Sequence, residues 1–195
     1  SFIPLAQQTG LSEPLTLLII RSVFEDMGDW LRQHPQQHIS INLESTVLTS
    51  EKIPQLLREM INHYQVNPRQ IALELTEREF ADPKTSAPII SRYREAGHEI
   101  YLDDFGTGYA NYERLRRLQA DIIKIDGCFV KDICTDDMDA MIVQSMCNLA
   151  KAKSLCVVAE YVETPAQREM LLRFGVDYLQ GYLIGKPKPL EELRA

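Results

Sequence analysis

Asn42, Glu74, Asp103, Lys124, Glu160 and Gln180 follow one another at intervals of 20 to 36 residues, each at or near the end of a short apolar run. A second carboxylate, Asp104, follows Asp103 directly, and Phe105-Gly106-Thr107-Gly108 comes next. Carboxylates and a carboxamide offer only oxygen donors, which suit hard divalent cations such as Mg²⁺ or Mn²⁺ rather than zinc. Two such cations about 4 Å apart are the usual apparatus for activating water against a phosphodiester and stabilising the leaving oxygen. In that chemistry Asp103 is expected to bridge two ions and Asp104 to hold one of them. Successive strand residues point to opposite faces, so this requires a fraying strand end at which both turn toward one rim. Lys124 would orient the water or stabilise phosphoryl charge, and Glu160 would accept a proton or complete a metal's shell. Taken singly, each residue reads as well as a turn, a cap or a salt bridge; six together, each at or near a strand end, do not. Gly106-Thr107-Gly108 reads as a mobile rim loop. The Asp-Phe-Gly of protein kinases is a poor parallel, because neither a Gly-rich loop nor a His-Arg-Asp loop precedes it.

The elements that must position these residues follow from periodicity. Leu15, Ile19, Val23 and Met27, joined by Ile20, Phe24 and Leu31, predict a long helix after Ser12-Glu13-Pro14 that stops before Pro35. "HISINL" reads as a strand, and a helix opened by Ser50 and Glu51 buries Ile53, Leu56, Leu57, Met60, Ile61 and Tyr64. "IALELTE" is a second strand. Asp82-Pro83 starts a helix that Gly97 terminates, and "HEIYLDD" is a third strand. Then come a helix over Tyr112, Leu115 and Leu118, the strand "DIIKID", a helix over Met138, Met141, Ile142, Ser145 and Leu149, and the strand "LCVVAE". Thr164 and Gln167 form a capping box around Pro165 for a helix that runs to Phe174, Gly175 closes it, and "DYLQGYL" is the sixth strand. Six largely apolar strands alternating with helices imply a parallel sheet. An open sheet binds mainly at its switch point, whereas a (β/α)₈ TIM-type barrel brings every strand end to one rim and accounts for all six polar residues. The fold expected is α/β, an incomplete barrel with about six of eight βα units and two strands missing upstream.

At 195 residues and 45% hydrophobic, with no linker or low-complexity tract, residues 1–195 read as one domain. The formal net charge of -7 argues against a broad grip on duplex nucleic acid. Cys128, Cys134, Cys147 and Cys156 form no C-x-x-C pair, and are read as reduced, mostly buried thiols of a cytoplasmic protein. The start carries no basic leader, and no apolar run approaches the roughly 20 residues that span a bilayer.

"FIPLAQQTGL", "INLES", "ALELTE", "LDDFGTGYANYERL", "IIKIDGCFV", "VVAEYVET" and "DYLQGYLIGKPKPL" resemble, in the same order, the motifs of EAL-type phosphodiesterases, which hydrolyse the bacterial messenger cyclic di-GMP. The resemblance covers essentially the whole chain. It implies two Mg²⁺ or Mn²⁺ ions and cleavage of cyclic di-GMP to linear pGpG. Asn42, Glu74 and Asp103 resemble the ligands of one ion, with Asp103 and Asp104 serving the second. Glu160 and Lys124 resemble the general base and its water-orienting partner, with the assignment between them open. Glu77 resembles the anchor of the loop that holds Gly106 and Gly108, Gln180 a substrate contact, and Asp126 a support of the site. The resemblance further implies a homodimer paired through helices near that loop, and an upstream sensory domain that can tie the full-length protein to the inner membrane.

Three positions depart from the family pattern: Glu44 stands in place of Ser, Tyr161 in place of Gly, and Ala110-Asn111 in place of two serines. Tyr161 is expected to pack outward rather than press on Glu160. The Glu-Ala-Leu motif itself is absent from the sequence and belongs to a strand expected upstream. The competing reading is a degenerate domain that binds cyclic di-GMP or a partner protein without hydrolysing it. A third, another metal-dependent phosphohydrolase barrel, requires that cyclic di-GMP fail to bind.

Overall fold

The computed structural model describes residues 3–77, 83–107 and 119–193. Contacts gather into two compact units, one through Ile100 and one over Tyr101–Leu193. The first contains α1 (Ile3–Thr9), α2 (Ser12–Gln33), β1 (Ile39–Asn42), α3 (Ser45–Leu48), α4 (Lys52–Tyr64), a 3₁₀ turn (Pro68–Gln70), β2 (Ile71–Thr76) and α5 (Pro83–Glu95). β1 and β2 pair in parallel, with Ile39 opposite Ile71 and Asn42 opposite Glu74.

The long helix lies where its periodicity put it, but its buried line is Thr16, Ile20, Phe24, Gly28 and Leu31, while Ile19 is exposed. The expected face holds at Ile20, Phe24 and Leu31, but Leu15, Val23 and Met27 are only partly buried, so its centre is rotated by about one residue. Gly28 explains the rotation, because any side chain there would collide with the Tyr64 ring, so bare backbone is what faces α4. On α4 the expected residues Ile53, Leu56, Leu57 and Ile61 are buried. Below them the Gln70 side chain donates to the carbonyls of Leu31, His34 and Gln37 at 2.9 to 3.0 Å, fastening the end of α2 to the start of β2.

The second unit holds nearly all of β3 (Ile100–Phe105), then β4 (Ile122–Ile125), α6 (Gly127–Val130), α7 (Asp137–Ala152), β5 (Cys156–Ala159), α8 (Pro165–Phe174), β6 (Tyr178–Leu179) and α9 (Leu190–Leu193). Its strands pair in parallel in chain order. The capping box of Thr164 and Gln167 and the left-handed Gly175 bound α8 as the sequence predicts. α7 also has its expected extent, yet it buries Val143, Cys147 and Ala150 and leaves Met138 and Met141 exposed. Small residues let α7 approach the strands closely, and the long methionines fall on the outer side. The thiols differ from expectation as well: Cys147 is buried and Cys156 partly so, but Cys128 and Cys134 are exposed on short turns of chain. The helix expected over Tyr112, Leu115 and Leu118 lies outside the described residues, as do Asp82 and Gly108. Parallel strands alternating with helices are the α/β class read from the sequence. Among the described residues no helix is long and apolar enough to cross a membrane.

Candidate active site

The adjacent aspartates owe their placement to a bulge. Leu102 pairs with Ile123 and Phe105 with Ile125, so β3 spends three steps where β4 spends two. The extra residue is absorbed at Asp104, whose φ of 54° is left-handed, a region Asp tolerates better than most residues. A bulged strand that continues to Phe105, rather than a fraying end, thus frees the two carboxylates from strict alternation. Gly106, at φ 99°, turns the chain, and the amide and hydroxyl of Thr107 donate to the Asp104 carbonyl at 3.2 and 2.9 Å. The turn favours Gly for its φ, and a β-carbon at 106 would also have to displace the end of the Met146 side chain on α7.

Lys124, on β4, is buried. Its ammonium stands 3.0 Å from Asp103 Oδ1 and 2.7 Å from Glu160 Oε1. Glu160 is held at the end of β5 by its amide, which donates to the Ile125 carbonyl at 3.2 Å. One cation therefore sits between carboxylates from two other strands. Asp126, the residue after β4, caps α6 by accepting from the Cys128 amide at 2.7 Å. Burial pushes the Asp104 carboxyl above its ordinary value; the charges of Asp103 and Asp126 push it the same way, and Lys124 only partly offsets them. Although Cys128 is exposed as a residue, partial desolvation and the Asp126 carboxylate raise its thiol to about 11, which makes it a poor thiolate ligand.

In the first unit, Asn42 and Glu74 are neighbours across the β1–β2 register, and the Leu43 amide donates to the Glu74 carbonyl at 2.9 Å. Glu74 is buried, Asn42 is exposed, and Glu77 is buried just after β2. In the second unit the exposed Gln180 links strand ends by its backbone, donating to Ala159 and accepting from Val162 at 2.8 and 3.0 Å. Tyr161 is largely exposed, at a φ of 61°, with its ring edge over Gly127. The structure thus brings together Asp103, Lys124 and Glu160, with Asp104 and Asp126 beside them. The contact of Tyr161 with Gly127 was not legible, although Asp126-Gly127 after an apolar run is a recognisable helix-start pattern.

Among the described residues, no three His, Cys, Asp or Glu side chains form a group arranged to hold a metal ion. The chemistry of the donor set still fits a hard cation: all its donors are oxygens, and burial together with the nearby carboxylates raises Asp104, a cost that a positive charge would relieve.

A buried lysine held between strand-end carboxylates, beside a bulge carrying two aspartates, defines an α/β protein with an acidic strand-end site. More specifically, the chain belongs to the EAL domain family, whose model matches residues 1–187. It is 71% identical over 192 residues to a protein of Escherichia coli (strain K12) named probable cyclic di-GMP phosphodiesterase PdeB, covering 98% of this chain and 36% of that one. It is 39% identical over 191 residues to cyclic di-GMP phosphodiesterase PdeF of the same organism, covering 97% of this chain and 26% of that one. The chain therefore spans about a quarter to a third of the length of these relatives. A solved structure described as the PaMucR phosphodiesterase in complex with c-di-GMP superposes with a TM-score of 0.92 at 35% identity, over 98% of this chain and 78% of that one.

Proposed function

We propose that the chain is the catalytic domain of a cyclic di-GMP phosphodiesterase that opens the cyclic dinucleotide to linear pGpG. The observation that carries this reading is the Asp103–Lys124–Glu160 arrangement, in a family whose relatives bear that activity in their names. Asn42, Glu74, Asp103 and Asp104 would hold two Mg²⁺ or Mn²⁺ ions, which when bound supply positive charge to the phosphodiester and lower the pKa of water. Glu160 takes the proton as the water oxygen bonds to phosphorus and the bond to the ribose 3′ oxygen breaks, that oxygen leaving with the electron pair. Lys124 has donors and no acceptor, so it orients Glu160 and the water rather than receiving the proton. Asp126 and the Gly106 turn support the aspartate pair, Glu77 anchors the loop that includes Gly108, and Gln180 contacts the substrate. The exposed Met138 and Met141 give α7 an apolar outer side suited to a homodimer, and a sensory domain upstream fits the greater length of the relatives.

The test is hydrolysis by the full-length protein that contains this chain. Asp103→Asn should lower turnover of cyclic di-GMP by about a hundredfold or more with the far-ultraviolet circular dichroism unchanged, because a neutral carboxamide would replace a charged oxygen donor for a hard cation and could not pair with the Lys124 ammonium. Full turnover after that change overturns the proposal. Binding of cyclic di-GMP without hydrolysis by the unaltered protein replaces it with the receptor reading.

A further inference from the structure

Tyr161 occupies a backbone conformation suited to glycine. Its φ of 61° is left-handed, where a β-carbon crowds the following carbonyl. A residue held at that cost normally has its side chain fixed by something. Here one edge of the ring lies over Gly127: a β-carbon at 127 would stand 2.7 to 2.9 Å from Cβ, Cγ and Cδ2 of Tyr161. Gly127 is buried, follows Asp126 and begins α6, so the anchor of the ring is part of the rim itself. Yet Tyr161 remains 59% exposed, so the contact with Gly127 covers only part of the side chain. The result is a flat aromatic surface, fixed along one edge and open to solvent, one residue from the Glu160 that pairs with Lys124.

We propose that Tyr161 is a stacking platform for a guanine base of cyclic di-GMP and so helps to set the register of the dinucleotide on the rim. The inference rests on the phosphodiesterase reading above and deepens it. The substrate carries two purines and two phosphates. The surrounding carboxylates repel the phosphates unless cations intervene, whereas the purine faces need only a planar, polarisable partner. A tyrosine ring supplies that partner independently of metal occupancy, and its hydroxyl is not required.

The experiment uses the full-length protein, with Ca²⁺ in place of Mg²⁺ for equilibrium binding of cyclic di-GMP by calorimetry and Mg²⁺ for kinetics. Tyr161→Gly relaxes the backbone, so the variant should melt no lower than the parent. Its Kd and KM for cyclic di-GMP should rise about tenfold or more, the range expected for loss of one base stack, with kcat at saturation changed far less. Tyr161→Phe should keep Kd within about twofold, since the ring face is retained. 5′-GMP should lose potency as a competitive inhibitor of Tyr161→Gly, whereas ribose 5-phosphate, which has no base, should not. Gly127→Ala should weaken binding in the parent by displacing the ring, and should add nothing in the Tyr161→Gly background. Equal affinity of Tyr161→Gly and an active parent overturns the inference and leaves the phosphodiesterase reading intact. A parent that neither binds nor hydrolyses cyclic di-GMP overturns both.

Discussion

Lys124 Nζ lies 2.7 Å from Glu160 Oε1, with the two side chains only 7% and 19% exposed. The same ammonium also meets Asp103, so a single cation balances two largely buried carboxylates. Pairs of this kind add little net stability while intact, because desolvation offsets attraction, but breaking one leaves uncompensated charge.

Lys124→Met keeps most of the apolar stem and removes the charge. It should lower unfolding free energy by about 3 kcal/mol at pH 7, as expected when one partner of a buried pair is deleted. Near pH 4, where carboxylates begin to protonate, the loss should shrink. Urea titration at both values checks this, and a loss independent of pH would mean that the lysine contributes packing rather than charge balance.

Asp104 carries the opposite sign of effect. Burial first, then Asp103 and Asp126, raise its folded-state carboxyl above the ordinary 3.8. From 3.8 up to that raised value the folded chain binds more protons than the unfolded one, so stability falls as pH rises through the window and the cost persists above it. Asp104→Asn should therefore raise the metal-free melting temperature at pH 7 and flatten its dependence on pH above the ordinary carboxyl value of 3.8. Added Mg²⁺ or Mn²⁺ should stabilise the parent more than this variant. Melting curves with and without metal decide it, and a variant less stable than the parent at neutral pH would contradict the assignment.

What the sequence discloses depends on whether the cause is local. Thr164, Pro165, Gln167 and Gly175 specify the whole of α8 within a dozen residues, and the helix matches them at both ends. The Asp103-Asp104 pair is equally visible, but the bulge that aims it is a mismatch of count against β4, and one strand alone contains no such count. The centre of the α2 face, though not its Ile20, Phe24 and Leu31, and the buried side of α7 depart from the pattern for a related reason. Thr16, Gly28, Cys147 and Ala150 are buried because a neighbour comes close, as Tyr64 does at Gly28, whereas a hydrophobicity pattern ranks Ile19, Met138 and Met141 above them. Gln70 shows the same limit, since a polar residue next to an apolar run gives no sign that three distant carbonyls await its amide.

Gln167 repeats that device in the second unit, with a consequence that can be measured. It is 6% exposed; its Oε1 accepts from the amides of Glu163 and Thr164, both at 2.9 Å, and its Nε2 donates to the carbonyls of Val130 and Lys131 at 3.2 and 3.0 Å. One side chain thus satisfies the start of α8 and ties it to the end of α6. Gln167→Ala removes four hydrogen bonds to the backbone, of whose partners only the Val130 carbonyl keeps another, the Ile133 amide at 3.4 Å, and should cost about 3 kcal/mol, against about 1 kcal/mol for Thr164→Ala, which removes only the hydroxyl cap. Gln167→Glu is the sharper probe. It keeps the acceptor for the two amides but turns the donor into an oxygen facing two carbonyls, so at pH 7 it should be less stable than Gln167→Ala. Protonation restores a donor, and its stability should therefore recover as pH falls through the carboxylate range. Urea unfolding of the three variants at pH 7 and near pH 4 tests the order, and a Gln167→Glu protein as stable as the parent at pH 7 would show that the Nε2 bonds contribute nothing.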